Sequence, residues 1–282
     1  MLKRGSYICA KFTFRKLFYM KGPVFTLFFL LLSVSVLGQD NKLFNPSETL
    51  KPKHGFILNA NGDFDIPAAD MAKRFGVSYR VGPAVLYKTS GNWVFGAKFD
   101  FILGGKIKED SLMINITDKY SAHTGSLYEF INKNGDRVGI PVYERGYAVG
   151  LEAGKIFSFS EQHPDNGLLL LTTVGFIQHK IDIYDKDKAV SQLRGNYLKG
   201  YDRLTNGAFV EQYAGYTYFA RNKLLNFNIG VDFLIGFTQG RRDYLYDVMR
   251  PNNKKRLDIL YGIRGGWFIP IFKRKSEDIV FE

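Results

Sequence analysis

Between Leu225 and Thr238 the two faces of the chain alternate residue by residue. Leu225, Phe227, Ile229, Val231, Phe233, Ile235 and Phe237 fall on one, and Asn226, Asn228, Gly230, Asp232, Leu234, Gly236 and Thr238 on the other. A helix would scatter both sets around its circumference, so the period of two predicts a strand with one apolar face. The pattern recurs from Leu257 to Ile269, where Leu257, Ile259, Tyr261, Ile263, Gly265, Trp267 and Ile269 oppose Asp258, Leu260, Gly262, Arg264, Gly266 and Phe268. Phe56 to Asp65 and Trp93 to Leu103 follow it as well, and looser versions occupy 77–87, 143–157, 168–183 and 207–219, which makes eight strands.

The connections alternate in length. Thr89-Ser90-Gly91-Asn92, Ser160 to Gly167 and Ala220-Arg221-Asn222-Lys223 read as short turns, whereas 66–76, 104–142, 184–206 and 240–256 are longer. An even number of strands with short turns at one end and long loops at the other predicts an all-β, eight-stranded antiparallel up-and-down transmembrane barrel. Its short turns are expected to be periplasmic and its long loops extracellular. Thirteen residues, as in Leu225 to Phe237, at about 3.3 Å each and tilted about 45°, project to roughly 30 Å, the thickness of a bilayer's hydrocarbon.

Alternation by itself does not say which face is outside, so a soluble carrier barrel with an apolar cavity is the rival fold. Two features favour the membrane form. The polar face carries charges near strand centres together with many glycines, which suits a narrow interior. The apolar face is aromatic and unbroken, an aggregation hazard in water.

The single long apolar run, Val24 to Leu37, follows Met20-Lys21 and precedes Gly38-Gln39-Asp40, and it reads as a secretory signal peptide. The expected organisation is a leader at 1–38, with 1–19 an upstream extension if Met20 is the initiator. A periplasmic N-terminal segment at 39–53, the barrel at 54–272 and a periplasmic tail at 273–282 complete it. Export changes the charge. The formal +12 includes Lys3, Arg4, Lys11, Arg15, Lys16 and Lys21 and no leader carboxylate, so the mature value is +6. Nucleic-acid binding loses its main argument at that charge in an exported chain. Cys9 leaves with the leader, which excludes disulfides, thiol catalysis and zinc-thiolate sites from the mature protein. An aromatic content of 16% excludes a disordered chain.

Three groups of residues are candidates for function. Asp63, Arg80, Lys98, Asp100, Glu152, Glu211, Asp232 and Arg264 fall on the polar face and are expected to form an interior charge network. The interior of an eight-stranded barrel is about filled by its side chains, which favours a plug of paired charges over a narrow ion path. The second group lies in the long loops. Arg241, Arg242, Tyr244, Tyr246 and Arg250, with Arg203 and neighbouring lysines, are expected to meet lipopolysaccharide phosphates or a partner protein. The third, His123 with Ser121 or Ser126 in the longest loop, could be written as nucleophile and base, but nothing orders the third group that a triad needs. His54, His123, His163 and His179 show no metal-ligand spacing, and no GxSxG, HExxH or phosphate-binding glycine loop occurs. No enzyme activity, cofactor or metal is expected. The 39-residue connection from Gly104 to Val142 is long for a passive turn and is expected to form a lid or a partner-binding extension.

The strings DIPAADMAKRFG (Asp65 to Gly76), NGAFVEQYAGY (Asn206 to Tyr216), DFLIGFTQGRRDY (Asp232 to Tyr244) and GGWFIPIFKRKSED (Gly265 to Asp278) resemble small outer-membrane β-barrel proteins of Bacteroidetes. The chain is similar in kind to accessory barrels of type IX secretion or of outer-membrane assembly machinery. That resemblance implies a non-catalytic subunit in the outer membrane, surrounded by its lipid and lipopolysaccharide and bound to other envelope proteins. The alternatives are a narrow channel or small-solute porin and an outer-membrane lipid-modifying enzyme. The resemblance assigns a role to no single residue.

Overall fold

The computed structural model of the chain describes residues 52–109, 112–117, 127–220 and 225–272. The leader, nearly all of the expected N-terminal segment, the tail, and Ser121, His123 and Ser126 lie outside the described residues. In chain order the elements are β1 (Gly55–Ala68), α1 (Ala69–Ala72), β2 (Ser78–Lys88), β3 (Trp93–Gly104), β4 (Leu127–Ile131), β5 (Arg137–Ser158) and β6 (Gly167–Ile183). Then follow β7 (Thr205–Tyr218), β8 (Phe227–Gly240), β9 (Arg242–Leu245), β10 (Arg250–Asn252) and β11 (Lys255–Phe272).

Eight of these strands, β1, β2, β3, β5, β6, β7, β8 and β11, each pair antiparallel with the next in that sequence. The last returns to the first, from Gly55 opposite Phe272 to Ala68 opposite Ile259, and closes the ring. Closure gives every barrel strand two neighbours, so backbone N–H and C=O groups bond within the sheet and no edge faces lipid. Where β2 meets β3 the pairing skips Gly82 and Pro83. Proline has no N–H to give, and β3 passes so close to Gly82 that a Cβ there would overlap the carbonyl oxygen of Phe99.

The two faces of the strands differ sharply. Phe56, Ile229 and Val231 are 54–59% exposed on the outside, while Asp65, Asp100 and Asp258 are fully buried inside. Tyr87, Trp93, Phe157, Tyr218, Phe227 and Trp267 face outward at the short-turn end, with the Lys155 ammonium 5.2 Å from the Trp93 ring centre. Tyr79, Tyr147 and Tyr261 mark the outward face toward the long-loop end. An apolar, largely aromatic outer face around a charged interior is the polarity of a transmembrane barrel and the reverse of a soluble carrier. Among the described residues no helix is long and apolar enough to cross a membrane.

Two features differ from the expected boundaries. β5 starts at Arg137, well before 143, because its first residues pair with β4 from Leu127 opposite Pro141 to Ile131 opposite Arg137. The turn between them is closed by Asn132, whose side-chain oxygen accepts from the amides of Asn134 (2.8 Å) and Asp136 (2.9 Å). Gly139 and Pro141 interrupt the alternation there. A second hairpin, β9–β10, stands in the last long loop.

Candidate functional site

Strand register assembles the interior charges. On β1, Asp63 stands directly opposite Arg80 on one side and Arg264 on the other. Arg80 donates from Nε to Asp65 Oδ2 (2.6 Å) and from Nη2 to Asp65 Oδ1 (2.9 Å), and its fork also reaches Glu211 (3.2 Å), Asp63 (3.7 Å) and Asp232. Arg264 donates to Asp63 Oδ1 (2.5 Å) and to Glu211, and lies 3.9 Å from Asp232. Lys98 bridges Asp100 Oδ2 (2.8 Å) and Glu211 Oε2 (2.7 Å). Glu211 is therefore the hub, touching all three cations, and every side chain named is nearly or fully buried. Planar guanidinium forks suit such a site because each can serve several carboxylates at once.

Seven of the eight interior residues expected from the sequence are joined in this one network. The eighth, Glu152, is buried but makes no ion pair among the described residues, accepting instead from Thr173 Oγ1 at 3.2 Å. It lines a cavity with Asn59, Asn61, Leu169, Leu171, Tyr213, Asn228 and Arg264 whose space, ≈ 10 Å³, is on the order of one water. Asp65 is part of the network although it was not among the expected residues. It has the same parity as Asp63, and that parity was the signal available.

The charged layer lies between two apolar ones. Toward the short turns Ile57, Leu86, Val94, Ile156, Leu169, Leu171 and Phe268 pack together. Toward the long loops Ile102, Ala148, Ile177, Phe209, Leu234 and Leu260 pack with the loop residues Met71, Phe75, Leu112 and Met113. Above the charged layer lie three further polar contacts: Ser78 Oγ donates to Glu144 (2.6 Å), and Asp258 takes contacts from Thr238 Oγ1 (2.5 Å) and His179 Nε2 (2.9 Å).

A second cluster ties the long loops together. Arg203 donates to both oxygens of Asp247 (2.8 and 2.7 Å) and to Glu109 (2.8 Å), while Arg74 donates to the Arg203 carbonyl (3.0 Å) and to Thr205 Oγ1 (3.1 Å). Asp247 also accepts from the Met113 amide at 3.0 Å. Burial opposes the charge on Arg203, and Glu109 and Asp247 more than offset it, raising its pKa. Arg74 has less compensation, and burial brings it down to about 10. The described part of the 105–136 loop is thus tied to two other loops, and its Leu112 and Met113 side chains are buried.

This arrangement corrects the reading of two loop cations. Arg203 is not a surface group but the centre of the buried cap, and Arg242 is half-buried in an ion pair with Asp202. Tyr246 is half committed too, its ring edge-on to Tyr201 at 5.8 Å. Arg241, Tyr244 and Arg250 are exposed. No group of three or more His, Cys, Asp or Glu among the described residues could hold a metal ion.

No protein-family model matches the chain, and no curated protein matches it. Solved structures with similar architecture include Neisserial surface protein A, at 10% identity and a TM-score of 0.39 over 77% of this chain and 97% of that one. Another is Ail, the attachment invasion locus protein of Yersinia pestis, in complex with the heparin analogue sucrose octasulfate (10%, 0.38, 77% and 99%). The outer membrane protein OprG from Pseudomonas aeruginosa is a third (10%, 0.33, 78% and 98%).

Proposed function

We propose that this chain is a closed, non-catalytic outer-membrane barrel that serves as an accessory subunit, docking envelope proteins through its extracellular loops. The observation that carries the reading is the filled lumen. A layer of ion-paired charges lies between two apolar layers, beneath the described part of a loop cap, and the cavity beside Glu152 has space on the order of one water. A barrel whose interior is spent on packing acts through its outside and its loops. There Ile114, Ile131, Tyr184, Tyr197 and Met249 are more than half exposed, and Arg250 and Tyr244 are exposed as well, a composition suited to protein contact. Participation in a secretion or assembly complex extends this reading by the resemblance of the sequence strings.

The deciding experiment purifies the protein in mild detergent from native outer membranes and identifies what accompanies it by native mass spectrometry and proteomics. A constant stoichiometric set of envelope proteins is expected. A protein that emerges alone from every mild detergent defeats the docking reading. The channel alternative is tested in planar bilayers, where Arg264→Ala and Asp232→Ala are expected to leave the protein non-conducting, and a change in single-channel conductance would favour a pore.

A further inference from the structure

On the long-loop side of Tyr147 on β5 and Phe176 on β6, and just after β8, the outward residues break the apolar pattern. Arg145 on β5 stands directly opposite Lys180 on β6. Two like charges in that relation repel, and nothing in the interior requires either of them. Arg145 is held in place by its own strand. Its guanidinium carbon lies 4.8 Å from the Tyr143 ring centre, and Nη1 donates to the Glu144 carbonyl at 2.7 Å. No carboxylate among the described residues pairs with it. Lys180 has only Asp182, at 3.3 Å, two residues along on the same face. Farther round the barrel Arg241, exposed and with no carboxylate partner among the described residues, is fixed through its amide to the Leu204 carbonyl (2.9 Å) and through Nε to Asn206 Oδ1 (2.5 Å). Asn206 in turn donates to Gln178 at 3.4 Å.

We propose that Arg145, Lys180 and Arg241 form a binding site for the phosphate groups of an outer-leaflet lipid. This rests on the reading of the chain as an outer-membrane barrel, because only there does the long-loop end of its outward face meet a layer of lipid phosphates. Three cations face one carboxylate, so the strip holds a net positive charge at the edge of the hydrocarbon. A phosphate between Arg145 and Lys180 converts their repulsion into two charge-assisted contacts. Most of the five N–H donors of each guanidinium stay free for it. The strip crosses three strand spacings, about 14 Å at roughly 4.8 Å each, which is room for more than one phosphate.

The test titrates purified protein in phosphate-free detergent with bis-phosphorylated lipid A and counts bound lipid by native mass spectrometry. The triple variant Arg145→Gln, Lys180→Gln, Arg241→Gln is expected to bind at least tenfold more weakly. Dephosphorylated lipid A is expected to bind wild type no better than the variant binds the phosphorylated form, and excess inorganic phosphate to displace none of the lipid. Equal binding of the two lipids, or an unchanged variant, overturns the site. Displacement by inorganic phosphate overturns the lipid as its ligand. Carbonate extraction of membranes separates the two levels of the argument. Release of wild-type protein defeats the barrel reading itself, whereas retention with unchanged lipid binding defeats only the site. Lys180→Gln alone, expected to weaken binding several-fold, serves if the triple variant fails to assemble.

Discussion

Arg80 in the lumen and Arg203 in the cap each grip two or more carboxylates, yet the chain supports them in opposite ways. Arg80 sits in the middle of β2, with its Cα position set by pairing to β1 on one side and β3 on the other. Its partners Asp63 and Asp65 are delivered by the same ladder. Arg203 belongs to no strand and has φ of 53°, a backbone conformation uncommon for a side chain of its size. Its partners Glu109 and Asp247 come from two other loops. In the lumen, register brings the charges together. In the cap, the charges hold loops that no register constrains. The comparison teaches that similar ion pairs can be a consequence of a fold in one place and its local cause in another.

Four measurements would break or sharpen that contrast. Glu211→Ala leaves Arg80, Lys98 and Arg264 without their common partner in a buried site, and a loss of about 3–5 kcal/mol is expected in urea unfolding of the barrel in lipid vesicles. A loss below about 1 kcal/mol would mean that Asp63 and Asp232 can take over and that no hub exists. Arg203→Ala should cost about 1–3 kcal/mol, the range for orphaning buried polar partners. That cost should be local. Protease cleavage in the long loops is expected to accelerate while the barrel's unfolding midpoint stays in place, and resistance equal to wild type would show that Met71, Phe75 and Met113 suffice to hold the cap. Glu152→Gln supplies the control inside the lumen, since this carboxylate makes no ion pair among the described residues. A change under about 1 kcal/mol of either sign is expected, and a cost like that of Glu211→Ala would refute the distinction drawn between the two glutamates.

The smallest effect concerns pH at the rim. Asp70 accepts from Lys73 Nζ (2.8 Å) and from the Leu257 amide (3.1 Å), and these bonds hold its carboxyl below the ordinary 3.8. Since its folded pKa lies below the unfolded one, the contribution of Asp70 is complete above the ordinary value and fades as pH falls through the lowered one. The Leu257 amide resonance is therefore expected to titrate with a midpoint below the ordinary 3.8, and Asp70→Asn to abolish that titration.

Barrel and cap also differ in how far the sequence discloses them. Strands with one face in lipid and one in a crowded lumen repeat at every second residue, so Phe227 to Phe237 and Leu257 to Ile269 announce both their conformation and their sidedness. The interior charges follow by parity, and Asp65, Glu144 and Asp258 share that parity with the charges singled out. Arg74, Glu109, Arg203 and Asp247 have no such signal. They lie far apart in loops, and their meeting depends on how those loops fold over the barrel mouth. Cations in a loop sequence look alike whether they are exposed, as Arg241 is, or buried in a cap, as Arg203 is. β4 was hidden for a related reason, because a short hairpin beyond the membrane needs no continuous apolar face.

The pairing of Arg264 with Asp63 joins the last strand to the first across the seam that closes the ring. During biogenesis, a sheet that has formed through β8 already contains Asp63, Glu211 and Asp232 but still lacks one of their cations. Arg80 and Lys98 can hold those carboxylates in part, but the charge balance of the lumen is complete only when β11 brings Arg264 and seals the ring. A change at either Arg264 or Asp63 therefore strikes at the closing of the ring and at the charge balance of its interior together.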